Sequence, residues 1–246
     1  MAALLVMTAS GGTAPYSSTR PDAWRASPRV TLWAWESRQD LRKISPEKYA
    51  IAYLDRTVFI TDHTLTVPRM QPLLIPQNAK ITAVVRIEAP QGRAKLDIPQ
   101  LAEKVATQIV EASRRRQVSA LQIDFDATKS QQPFYRSVIK EIRRRMPPGM
   151  PLSITALASW CSQPSWLNDL PVDEAVPMLF RMGGNIRLKK PPGWNYEATV
   201  PQCRTSVGVS TDEAWPGITA DKRIYVFHPR AWNPVALENM EKLITP

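Results

Sequence analysis

Glycine is scarce in this sequence: 9 residues stand against 23 prolines in a chain of 246. That ratio gives stiff corners and leaves little material for glycine-rich phosphate cradles. Neither GxGxxG nor GxxxxGK followed by Ser or Thr occurs, so a nucleotide cofactor has no support, and no other cofactor is indicated. Histidine is almost missing too. His63 and His228 lie far apart without an HExxH, which removes a histidine-rich zinc site; no metal is expected, and only a carboxylate site for calcium or magnesium stays open. The two cysteines, Cys161 and Cys203, are too few for a disulfide framework and form no CxxC. No apolar run reaches the roughly 18 residues of a membrane span.

What is present is ordinary globular material with an excess of base. Hydrophobic residues make up 43%, enough for a large core. The net charge of +10 raises nucleic acid or an anionic surface as a partner. The clusters Arg114-Arg115-Arg116 and Arg143-Arg144-Arg145 each close a predicted helix, however, where cations complement the helix dipole, and no aromatic residues interleave them. A nucleic-acid partner is therefore disfavoured. Residues 1–28 read as a flexible leader or truncated signal segment, because the apolar run Ala2 to Met7 leads into small residues with no base ahead of it. That favours export, periplasmic or extracellular, with a cytoplasmic location still open.

Residues 29–246 alternate between strand and helix patterns. Strands are predicted at Val30 to Glu36, Tyr49 to Leu54, Lys80 to Glu88, Ala120 to Phe125, Leu152 to Ala158, Ala175 to Met182, Thr205 to Val209 and Arg223 to Phe227. Helices are predicted at Gln39 to Ile44, Ile98 to Arg116 with Asp97 as cap, Phe134 to Met146, and Pro234 to Leu243. Phe59 to Thr61 and Thr64 to Val67 read as the arms of a hairpin. Eight strands in this length favour one α/β domain, an irregular (β/α)8 TIM barrel, over an open sheet. In such a barrel Cys161 falls at the upper rim and Cys203 at the lower, so the two are not expected to pair.

Barrel enzymes assemble their sites at the carboxyl ends of the strands. Those ends here carry Trp35 and Glu36; Arg86 and Glu88; Asp124 and Asp126; Trp160; Arg181; Asp212, Glu213 and Trp215; and His228 and Trp232. Acids can protonate or activate around a glycosidic oxygen, and indole faces stack on sugar rings, so the rim suits a carbohydrate. The same residues also have plain structural readings, as core tryptophans and as ion pairs in the barrel mouth. In LQIDFDA, alternation sends Gln122, Asp124 and Asp126 to one face and Ile123 and Phe125 to the other. Two strand steps put the aspartates roughly 6–7 Å apart, within reach of each other's protonation.

With these residues in place, the phrases LQIDFDAT, LSITALASWC, AVPMLFRMG and VGVSTDE resemble the bacterial proteins grouped as domain-of-unknown-function family 3142. That resemblance implies a glycoside hydrolase-like barrel from the first strand onward. The fourth strand is also similar, more distantly, to the DxxDxDxE of chitinase-type family 18 glycoside hydrolases. Asp124 matches the last aspartate of that pattern and Asp126 the terminal glutamate acid, while Gln122 replaces the preceding aspartate. The likeness implies substrate-assisted hydrolysis of an N-acetyl sugar, or a degenerate barrel that only binds. The sequence thus points to a polysaccharide-acting hydrolase with Asp126 as general acid and Asp124 tuning it. The alternative is a non-catalytic carbohydrate-binding or cell-surface barrel, and a third reading is an anionic polymer bound at the arginine-rich lower end.

Overall fold

A computed structural model describes residues 24, 26–61, 64–90, 99–162, 166–182 and 193–244. Eleven strands are defined among them: β1 (Val30–Ala34), β2 (Gln39–Asp40), β3 (Tyr49–Ile60), β4 (Thr64–Pro68), β5 (Leu73–Leu74), β6 (Ile81–Glu88), β7 (Val118–Asp124), β8 (Leu152–Leu157), β9 (Glu174–Met178), β10 (Ser206–Ser210) and β11 (Arg223–Phe227). The helices are α1 (Pro99–Ser113), α2 (Gln132–Arg145), α3 (Ala158–Cys161) and α4 (Pro234–Ile244). Eight of the strands pair in parallel in the order β1-β11-β10-β9-β8-β7-β6-β3, and β3 pairs back with β1, closing the ring. The (β/α)8 barrel expected from the strand pattern is what forms, and each of its eight strands lies within a few residues of its predicted position.

Closure follows from strands that are apolar on both faces. Outward residues of β6 to β9, such as Ile87, Ile123 and Ile154, bury themselves against Ile109 of α1 and Ile139 and Ile142 of α2. Outward residues of β1, β10 and β11 do the same against Met240 of α4. The interior is filled by Trp33, Ala52, Val84, Val176, Phe180 and Tyr225. The Trp33 indole crosses the barrel axis over Gly208 of β10. A Cβ added there would lie 3.1 Å from Met178 Sδ and 3.2 Å from Trp33 Cη2. The thioether can yield, but the indole is held by Gln122. Gly208→Ala is therefore expected to cost about 1–3 kcal/mol in urea denaturation, the usual range for overpacking. An unchanged midpoint would show that the interior has slack.

Three departures from the sequence reading have local causes. Gln39 to Ile44 is no helix: Gln39 and Leu41 donate their backbone N–H groups to Pro72 and Leu74, forming the small β2–β5 ladder. Six residues are too few to nucleate a helix against that competing partner. The second strand runs on to Ile60, through an irregularity between Leu54 and Arg56, and makes the expected hairpin with β4.

Third, Cys161 and Cys203 do pair, with Cα atoms 5.8 Å apart, although the strand pattern alone puts them at opposite rims. The strand at Leu152 ends in the single turn α3, which turns Cys161 inward to full burial. The chain after β9 then passes it, Thr199 donating its N–H to the Cys161 carbonyl, before the 3-10 turn Pro201–Cys203. The Asp97 cap lies outside the described residues. Trp24, from the segment read as leader, is buried with its ring 4.5 Å from the Arg223 guanidinium.

Candidate functional site

Strand β7 builds the acidic wall. Leu121 and Ile123 face the helices, which turns Gln122 and Asp124 into the barrel. Gln122 is fully buried, accepting from Trp33 Nε1 at 2.9 Å and donating to Ser153 Oγ at 3.1 Å. Asp124 ends the strand one layer higher, and its Oδ1 accepts from Thr155 Oγ1 at 2.7 Å. Its carboxyl is 17% exposed, with Arg86 Nε 3.9 Å from Oδ2. Burial pushes the Asp124 carboxyl up to about 6; the Thr155 hydrogen bond opposes this, the charge of Asp126 adds to it, and Arg86 opposes it weakly.

The next outward residue, Phe125, is pinned edge-on against Tyr135 of α2 at 5.1 Å. Asp126 lies past the strand end and is exposed. It makes no ion pair or side-chain hydrogen bond among the described residues. Pairing with Arg86 or Arg181, the arrangement that would have marked a purely structural acid, is among the contacts Asp126 does not make there.

The remaining rim is assembled from both sides of this wall. Arg86 bridges Glu88 at 2.5 Å and lies over the Trp35 ring at 5.7 Å. Arg181 follows β9 with φ of 49°, and its peptide N–H donates to Glu213 Oε1 at 3.0 Å. Its guanidinium sits 4.9 Å from the Phe227 ring centroid and 4.0 Å from Asp212, which accepts from Ser210 Oγ. His228 shares a hydrogen bond with Thr211 and packs at a tilt against Trp232, and burial holds its imidazole below the ordinary value. Glu36 is exposed.

Three of the four predicted sugar platforms are buried instead. Trp160 packs edge-on against Trp166 at 5.1 Å, Trp215 donates to the Ser210 carbonyl and Trp232 to the Trp33 carbonyl. Each indole anchors a loop to a strand end, because a buried ring fills space there and a buried N–H must find an acceptor.

The sequence reading passed over Thr155, Phe180 and Phe227, which complete the upper layer, and Glu174, Arg223 and Tyr225, which form a hydrogen-bonded cluster below Gln122. The signal was there: in SITAL, EAVPMLF and RIYVF these residues occupy the same inward alternation that marks Asp124. The arginine clusters at the lower end are largely matched by acids: Arg115 with Asp55, Arg143 with Asp173, and Arg145 with Glu103 and Glu141. Among the described residues no group of three or more His, Cys, Asp or Glu is placed to hold a metal, and no helix is long and apolar enough to cross a membrane.

Residues 77–178, from β6 to β9, match the family model described as Domain of unknown function (DUF3142). No curated protein matches the chain significantly. Among solved structures, a GH18 chitinase from Pseudoalteromonas aurantia superposes with a TM-score of 0.51 at 9% identity, covering 87% of this chain and 99% of that one. A family GH18 chitinase from Chromobacterium violaceum gives 0.47 at 8% identity, over 94% and 87%. The chitinase domain of the spore coat protein CotE from Clostridium difficile gives 0.43 at 11%, over 89% of this chain and 62% of that one, less than two thirds of its length. The chain is a glycoside hydrolase-like barrel in fold, and its activity has to be argued from the site.

Proposed function

We propose that the upper mouth binds a carbohydrate polymer or oligosaccharide and hydrolyses it by acid/base catalysis with Asp124 and Asp126. The observation that carries this reading is Asp124: a carboxyl whose pKa is pushed up to about 6 at the end of the fourth barrel strand, two residues before an exposed Asp126 that makes no ion pair among the described residues. General acid catalysis needs a proton held on a carboxyl near working pH and a group that delivers it to the leaving oxygen, here by transfer of the proton from Asp124 to Asp126. Burial supplies the first at Asp124, and exposure supplies the second at Asp126. Asp126 contacts the leaving oxygen, Asp124 carries the tunable proton beside it, and Thr155 fixes the Asp124 rotamer. The buried pair Cys161–Cys203 supports an oxidising compartment, and hence export, because such bonds persist outside the reducing cytosol.

The test is release of reducing ends from a polysaccharide panel by the protein beside its Asp126→Asn and Asp124→Asn variants. Turnover should vanish in the first with folding intact, and the alkaline limb of the pH profile, where Asp124 loses its proton, should move in the second. A non-catalytic binding barrel is the second reading, favoured by the burial of every predicted sugar platform except Trp35. Retention of a polysaccharide by wild type and Asp126→Asn alike, with no reducing ends from either, would select it.

A further inference from the structure

The aromatic faces that remain at the mouth are not open to a sugar ring. Trp35 is covered by Arg86 and Phe227 by Arg181, at 5.7 and 4.9 Å from ring centroid to guanidinium carbon. A ligand approaching either ring meets a planar cation first.

Strand order directs these two cations towards neighbouring strands. Around the closed sheet the sequence of strands is β6, β3, β1, β11, β10, β9. Arg86 therefore reaches from β6 across β3 to β1, and Arg181 from the end of β9 across β10 to β11. They arrive from opposite sides on neighbouring strands, which pair directly through Leu32 and Val226. In the ring of eight, β11 lies four strands from β7 in either direction. Arg181 thus faces Asp124 across the mouth, while Arg86, 3.9 Å from the Asp124 carboxylate, reaches towards it from beside that acid.

Arg181 is held in place through its backbone. Its φ of 49° is the left-handed region that non-glycine residues seldom adopt, and Glu213 fixes it by accepting the peptide N–H on both oxygens, at 3.0 and 3.3 Å. The guanidinium itself makes no hydrogen bond among the described residues; Asp212, at 4.0 Å, is beyond that distance and already accepts from Ser210. Its side chain is 57% exposed. Arg86 directs one short contact to Glu88 and stays 3.9 Å from Asp124, so part of its donor fork is also open.

Resting on the reading of the mouth as a glycan site, we propose that Arg181, with Arg86 reaching towards it from beside Asp124, determines specificity for an acidic glycan, by binding an oxyanion substituent of the chain. A carboxylate or a sulfate presents the two oxygens that a guanidinium fork matches.

The experiment is a binding assay with the full-length protein, in the Asp126→Asn background, on an array of carboxylated, sulfated and neutral oligosaccharides of equal length, with methyl-esterified versions of the carboxylated ones. Acidic chains should be retained over neutral ones, esterification should release the carboxylated ones, and Arg181→Gln should weaken retention about tenfold or more, with Arg86→Gln adding to it. Preference for carboxylated over sulfated chains, or the reverse, supports the proposal and names the substituent. Equal binding of neutral and acidic chains, or retention unchanged in Arg86→Gln and Arg181→Gln, overturns the proposal and leaves the glycan site standing. Binding of no oligosaccharide at all overturns both.

Discussion

Reduction of the Cys161–Cys203 bond is expected to lower stability by about 4 kcal/mol. The bond joins residues 42 apart in sequence. Closing a loop of that size removes chain entropy from the unfolded state worth roughly 4 kcal/mol, between the values for a 15-residue and a 100-residue loop. The loop holds β9 and the passage from residue 193 to Cys203, in which the described residues form no helix longer than a 3-10 turn to hold it against the barrel. Elsewhere α1 and α2 provide that hold by burying an apolar face each. Both cysteines are buried, so the comparison is best made between oxidised and reduced protein in thermal denaturation, where the expected loss corresponds to about 10 °C in Tm for a chain of this length. A Cys161→Ser/Cys203→Ser variant should reproduce the loss. Equal Tm values with and without reductant would mean that the loop is held by packing alone, and would remove the argument for an oxidising compartment.

That bond also marks where the sequence stopped being legible. The eight strands could be read because each is a short run of Val, Ile, Leu and Ala bounded by polar or proline-rich stretches, and a two-residue alternation is a local property. Asp124 could be read for the same reason: Ile123 and Phe125 must face the helices, so Asp124 must face the mouth. The disulfide depends instead on a loop turning back beside α3, a path set by contacts among residues about forty apart, and no periodicity encodes it.

The tryptophans show a second limit. Trp160, Trp215 and Trp232 stand at strand ends in sequence just as a sugar platform would, yet each indole N–H or ring finds its partner inside the protein. Position along a strand says which end of the barrel a residue occupies, not whether its ring turns inward to the core or outward to a ligand. Arg181 lies between these cases. Its place at the rim was legible, but its left-handed backbone and its seat on Phe227 depend on Glu213 and β11, which are distant in sequence.

Asp124→Asn is expected to make the protein more stable at pH 7 while impairing catalysis, a combination that a structural carboxylate would not give. In the folded protein the carboxyl titrates at about 6, against an ordinary value of 3.8. The folded state therefore holds a proton on Asp124 that the unfolded chain has already released, and stability falls as pH rises from about 4 to about 6, then levels off. A rise from 3.8 to about 6 corresponds to about 3 kcal/mol of destabilisation once Asp124 is ionised. Asparagine has nearly the same shape, keeps an oxygen for the Thr155 hydroxyl and never ionises. Urea denaturation of the two proteins should thus coincide near pH 4 and diverge as pH rises, the variant gaining up to about 3 kcal/mol by pH 7. Asp173 is also pushed up to about 6 by burial, but it is common to both proteins and cancels in the difference. A variant less stable than wild type at pH 7 would reverse the assignment, making Asp124 a stabilising partner of Thr155 and Arg86. Divergence in the stated direction would mean that the barrel carries a destabilising charge at its mouth, and a fold keeps such a charge for what it does to a ligand there.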